Sequence, residues 1–175
     1  MLASIFSLNV LQTALELGCI YGLVALALFL SYSILNIADL STDGCFTLGA
    51  VTGAAVTLAG HPILALPAAI GAGMLSGLVT AFLQTKMGVD SLLAGIIVNT
   101  ALYSINIAAM GNSSLLNMNK TETVFTKMKT LLAGTFLEKQ SVLIVSLIAV
   151  VLVILFLSLF LKTKLGLAIR ATGNN

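Results

Sequence analysis

Ser141 to Leu161 reads SVLIVSLIAVVLVILFLSLFL, and from Val142 to Leu157 its single polar residue is Ser146. An α-helix crosses the hydrocarbon core of a bilayer with roughly 20 mostly apolar residues. This stretch is therefore a membrane span, and the question for the rest of the chain is how many others accompany it.

Charge placement answers that question. Of the 175 residues, 59% are hydrophobic and 8% charged, with a mean hydropathy of +1.13, whereas soluble domains are about 25% charged. The eight basic and six acidic residues leave charge-free runs at Leu17 to Ala38, Gly44 to Thr85, Ser91 to Asn119 and Gln140 to Leu161. The second run is long enough for two spans. The expected fold is thus all-α, a polytopic transmembrane helix bundle of about five membrane segments: Leu11 to Leu35, Leu40 to Ala59, Ile63 to Leu83, Ser91 to Met110 and Ser141 to Leu161. Gly60-His61-Pro62 and Gln84 to Asp90 supply the breaks, since proline and glycine stop one helix and start the next. Residues 1–161 form the bundle with an outer loop at 111–140, and 162–175 form a separate tail. Met1 to Val10 carries no Lys or Arg and no small-x-small site follows, so a cleaved signal is not expected.

Lys and Arg near span ends set orientation. Lys162, Lys164 and Arg170 follow the last span, and counting back places Lys86 on the same side, which is expected to be cytoplasmic. Four lysines between Gly111 and Lys139 oppose this assignment. The tight cluster after the last span is given more weight, and an odd number of spans then puts the N-terminus outside.

Several function classes are excluded or disfavoured. A net charge of +2 without a basic patch does not suit nucleic acid. There is no HExxH, Gly-x-Ser-x-Gly, Walker A or CxxC sequence, so neither catalysis nor a bound cofactor is expected. Cys19 and Cys45 read as small packing residues, Glu16 as interfacial and His61 as a loop histidine. The sequons at Asn112 and Asn119 read as chance.

Polar residues inside the spans are the candidates for function. Asp39 and Asp43 lie at i and i+4 with Thr42 between them, ahead of a small-residue helix. Two readings are open: acidic residues at a helix start, where they satisfy free amides and favour the helix dipole, or a broken or re-entrant helix lining a substrate path. Asn99, Tyr103 and Asn106 fall at i, i+4 and i+7, one stripe of an otherwise apolar helix. Interhelical hydrogen bonds and a polar path wall are both compatible with it. Three G-x-x-x-G pairs (Gly18 and Gly22, Gly49 and Gly53, Gly73 and Gly77) suit close helix packing.

Taken together, Gly18-Cys-Ile-Tyr-Gly-Leu-Val-Ala-Leu-Ala-Leu28, Ile34-Leu-Asn-Ile-Ala-Asp-Leu-Ser-Thr-Asp-Gly44 and Leu48-Gly-Ala-Val51 resemble the first spans of the branched-chain amino acid and ribose type permeases of ABC importers. The tail Lys162-Thr-Lys-Leu-Gly166-Leu-Ala-Ile-Arg170-Ala-Thr-Gly-Asn-Asn175 is similar to that family's cytoplasmic entry into the loop that docks on the ATPase. The variant looks similar to tryptophan or tyrosine uptake permeases. The resemblance implies a bacterial plasma membrane importer subunit that pairs with a second permease copy, with separate ATP-binding subunits and an extracellular solute-binding protein. It also implies that Gly166, Arg170 and Gly173 belong to the coupling region, with Arg170 opening a short polar helix. Family members continue beyond this point with further spans, so the chain is expected to be either a fragment of a permease or a truncated gene product. A half-size channel or secondary carrier that works as an oligomer without ATP is the alternative.

Overall fold

The computed structural model describes residues 8–118, 121–131 and 140–173. Among them are seven α-helices and no strand: α1 (Leu8–Phe29), continued by a π-helical turn at Leu30–Ile34, then α2 (Thr42–Leu58), α3 (Pro62–Thr85), α4 (Ser91–Ala109), α5 (Val124–Leu131), α6 (Ser141–Lys162) and α7 (Lys164–Gly173). All five expected membrane segments are helices, each within a few residues of its expected bounds. Four are long and apolar enough to cross a bilayer: Val10–Ile34, Pro62–Thr85, Ser91–Ala109 and Ser141–Lys162. At 17 residues, α2 is shorter, about 25 Å at 1.5 Å per residue.

The turns follow from local chemistry. Gly60 takes φ +89° after α2, and Pro62 occupies the first turn of α3, where its missing N–H costs no hydrogen bond. Asp90 caps α4, its Oδ1 accepting from the Leu92 amide at 2.9 Å. In the segment between α4 and α6, α5 begins at a reciprocal cap: Thr123 Oγ1 accepts from the Thr126 amide (3.2 Å) and Thr126 Oγ1 from the Thr123 amide (2.7 Å). This helix was not anticipated, because eight residues are too few to display a period. The remainder of that segment at 119–120 and 132–139, with Asn119, Lys120, Glu138 and Lys139, lies outside the described residues, as do Met1 to Ser7 and Asn174 to Asn175.

Burial is inverted relative to a soluble protein. Most large apolar side chains point outward, Leu66 and Phe156 among them, with Ile34, Val51, Val98 and Leu102 buried, while Ser41, Thr57, Ser76, Thr80, Asn106, Ser141 and Ser146 are buried too. A bilayer explains this, since lipid tails solvate leucine as well as a protein core does and polar groups must be satisfied internally. Hydroxyls in the spans accordingly donate to their own helix, as Thr57 does to Gly53 O (2.7 Å), Thr100 to Ile96 O (2.8 Å) and Ser146 to Leu143 O (3.0 Å).

α2, α3 and α4 pack together, and α1 packs on α6. Tyr21 of α1 meets Phe46 of α2 with ring centroids 6.5 Å apart. Only one of the three G-x-x-x-G pairs makes a close approach: a Cβ on Gly49 would meet Ala69 O at 3.3 Å and one on Gly53 would meet Ala65 O at 3.6 Å, whereas Gly18, Gly22, Gly73 and Gly77 face open space. Spacing brings glycines to one face, but whether another helix lies there depends on the tertiary arrangement.

The same contacts fix relative sidedness. Gly95, near the start of α4, lies against Leu40 and Ser41, and Thr80, near the end of α3, meets Ser41. Gly173, at the end of α7, lies against the backbone of Ile34 and Leu35. The α1–α2 junction, the Lys86–Asp90 loop and the tail helix therefore share one side of the bundle. The Gly60-His61-Pro62 turn, the end of α4 and the start of α6 occupy the other.

Candidate functional site

Between α1 and α2 the helix ladder is interrupted. The π-helical turn ends with the Leu35 amide on Leu30 O at 3.1 Å, and Asn36 adopts φ +56°, a left-handed conformation that asparagine tolerates better than most residues. Ser31 then clamps the returning chain twice: its hydroxyl donates to Ile37 O (2.8 Å), and its carbonyl accepts from the Ile37 amide (3.0 Å). The break opens a cavity of about 400 Å³ lined by Phe29, Ser31, Tyr32, Ser33, Ala38 and Asp39, among others. That is within the size range of small-molecule sites, roughly 300 to 1,000 Å³.

Asp39 stands at the edge of this cavity. Its Oδ1 accepts from the Ser41 amide at 2.8 Å, closing a local turn just ahead of α2. The expected cap spread over several amides is reduced to this single bond, because Ser41 rather than Asp39 holds the N-cap position. Thr42 directs its hydroxyl at Asp39 O over 3.4 Å, near the limit of a hydrogen bond. Asp43 falls in the first turn of α2, is exposed, and favours the helix dipole there. The two carboxylates thus occupy different settings, one at the cavity and one on the helix surface.

Beneath them lies a polar knot that sequence reasoning missed. Ser41 is 1% exposed, and its hydroxyl is met by Thr80 Oγ1 at 3.1 Å and by Cys45 Sγ at 3.8 Å. Thr80 also lies 3.3 Å from Ser76 O. Gly95 brings α4 onto this point, since a Cβ there would sit 2.7 Å from the Leu40 amide nitrogen. Ser76 and Thr80, one turn apart in an apolar helix, were the available signal.

The stripe on α4 is divided by the structure. Asn99 is half-buried and faces Gly44, Asn106 is 4% exposed, and Tyr103 is 68% exposed. Tyr103 and Asn106 differ by about 60° around a helix of 3.6 residues per turn, enough at the edge of a packed face to turn one side chain outward. The Asn106 Oδ1 atom is buried without a hydrogen-bond partner among the described residues. The three residues therefore do not form a common wall.

The tail is a helix from its beginning. α7 opens at Lys164, and Arg170 lies in its last turn, where a cation suits the helix dipole; the expected start at Arg170 is six residues late. Thr163 makes the corner, its backbone extended and its hydroxyl on Phe160 O at 2.6 Å. Gly166 is buried against the last turn of α6, where a Cβ would collide with Phe160 O and the Leu161 backbone. Gly173 fits equally tightly under the Ile34 carbonyl. Arg170, Leu165 and Leu167 remain exposed.

Residues 10–175 match the family of branched-chain amino acid transport system permease components. The chain is 35% identical over 157 residues to a tyrosine transport system permease protein of Clostridioides difficile (strain R20291), covering 89% of this chain and 49% of that one. It is 36% identical over 170 residues to an uncharacterized protein of Rickettsia prowazekii (strain Madrid E), covering 96% and 56% respectively. The chain spans about half the length of the curated relatives it matches. No solved structure matches. With its apolar helices and the polar junction between α1 and α2, the chain belongs to the branched-chain amino acid transport system permease component family and is a multi-pass membrane protein.

Proposed function

We propose that this permease works in an ATP-driven importer of a bacterial plasma membrane and takes up an amino acid, with tyrosine or a related aromatic one as the first candidate. The observation that carries the reading is the tail helix. α7 is pinned beneath the bundle at Gly166 and Gly173, yet it turns Leu165, Leu167 and Arg170 outward. Leu167 and Arg170, three residues apart on one face of α7, put an apolar group beside a cation at a membrane surface and suit a groove on a partner, and the partner proposed is an ATP-binding subunit. The name of the Clostridioides difficile relative supports the solute.

In this reading the tail side is cytoplasmic and the N-terminus is outside. A second permease copy completes the membrane unit, a solute-binding protein delivers from outside, and ATP is hydrolysed by the separate subunits. Asp39, with Thr42 and the cavity at the break, belongs to the solute path. Asn99 lies near it, while Tyr103 points away.

The test is uptake of labelled amino acids by cells expressing the complete system. ATP-dependent tyrosine uptake, reduced at least tenfold by Asp39→Asn, is the expected result. Uptake that survives ATP depletion and follows an ion gradient would replace the importer with an oligomeric carrier. Normal uptake after Asp39→Asn and Asp43→Asn together would leave both carboxylates as helix-start residues.

A further inference from the structure

The chain between α1 and α2 is held at two points, with Asp39 between them. The first is the pair of hydrogen bonds between Ser31 and Ile37. The second comes from another helix: Thr80 of α3, 2% exposed, reaches Ser41 Oγ at 3.1 Å, and the Ser41 amide in turn holds Asp39 Oδ1 at 2.8 Å. Gly95 closes the knot from the third helix by letting α4 touch the Leu40 and Ser41 backbone. Sealed from water and lipid, the Thr80 hydroxyl chooses between Ser41 Oγ at 3.1 Å and Ser76 O at 3.3 Å, and the shorter contact to Ser41 orders what is attached to it.

We propose that Thr80 is a positioning residue for the Asp39 carboxylate, acting through Ser41 to fix where that charge stands at the cavity between α1 and α2. The proposal rests on the reading of Asp39 as a site carboxylate. Thr80 touches no solute. It sets the direction of Asp39 from a separate helix, so a movement of α3 relative to α2 is transmitted to the charge at the cavity. A carboxylate attached only to its own turn would sample more orientations, and a site gains from having its charge preset.

The test needs no knowledge of the solute. In the full permease, with Cys19→Ala and Cys45→Ala in the background, so that no new hydroxyl is offered to Ser41, Ala38→Cys places a thiol in the cavity lining next to Asp39. Its modification rates by a cationic and an anionic methanethiosulfonate reagent of similar size are compared. A carboxylate within several ångströms in a largely aqueous setting should change each rate by about threefold in opposite directions, or roughly tenfold in the ratio. Asp39→Asn should abolish that preference. Thr80→Val should remove most of it although Asp39 is intact, and Thr80→Ser should restore it.

A purely structural role for Thr80 would shift both rates together and leave the ratio at the parental value; that result overturns the proposal. If Asp39→Asn itself leaves the ratio unchanged, the carboxylate is not at the cavity and the site reading fails with it. A ratio sensitive to Asp39→Asn but not to Thr80→Val sinks the positioning role alone. Should Thr80→Val fail to accumulate, Ser41→Ala cuts the same hydrogen bond from its other end and is read by the same criteria.

Discussion

Gly44 on α2 lies against Asn99 on α4 so closely that a Cβ at position 44 would stand 2.5 Å from Asn99 Oδ1 and 3.3 Å from Asn99 Cα. Two parallel helices therefore touch through backbone where the chain leaves the break, and the half-buried amide of Asn99 is directed at the first turn of α2.

Gly44→Ala should destabilise the protein by about 1 to 3 kcal/mol, the usual cost of overpacking a tight contact. Gly18→Ala and Gly22→Ala, which meet nothing within 4 Å, should leave it unchanged or slightly firmer. Thermal unfolding in detergent, followed by the loss of the monodisperse peak, would separate the two. Equal loss from all three changes would contradict the packing described for α2 and α4.

Asn106→Leu should raise stability. The Asn106 Oδ1 atom is buried without a partner among the described residues, and an unmet buried polar atom costs about 1 to 3 kcal/mol. Leucine has the same branching and number of side-chain heavy atoms and removes that cost. The same unfolding assay checks it, and a marked fall in stability would mean that the amide has a partner in the assembled permease.

Sidedness is tested by a pair of cysteines. Ser114 and Thr172 are exposed on opposite sides of the bundle, so cysteines placed there should show opposite reactivity toward an impermeant thiol reagent added to intact cells. The Ser114 position should label and the Thr172 position should label only after permeabilisation. The reverse pattern would invert the proposed orientation while leaving the relative arrangement of helices intact.

At the tail, Arg170→Ala should leave insertion and stability unchanged, because Arg170 is exposed, yet weaken association with the ATP-binding subunits by about tenfold or more, the scale of an interface anchor. Gly166→Val should instead displace α7 from the end of α6, where a Cβ has no room. Co-purification and solute-stimulated ATP hydrolysis would report both. A complex that kept its ATP-binding subunits and its full stimulation through both changes would remove α7 from the docking surface.

Sequence by itself determined the membrane class, the five helical segments and their order, because a span must bury its backbone polar groups within itself and so declares itself by length and apolar content alone. It also singled out the stretch from Asp39 to Gly44, since carboxylates inside apolar runs are costly wherever they fall. Tertiary structure alone decided which polar residues meet. Gly49 and Gly53 pack on Ala65 and Ala69, while two other pairs of the same spacing face open space. Tyr103 turns outward and Asn106 inward from one helical stripe. Ser41 and Thr80 are 39 residues apart in the chain and form one contact. Spacing along a helix fixes a side chain's angle about its own axis, but where the neighbouring helices lie around that axis is set by pairwise packing across the bundle, to which no local pattern corresponds.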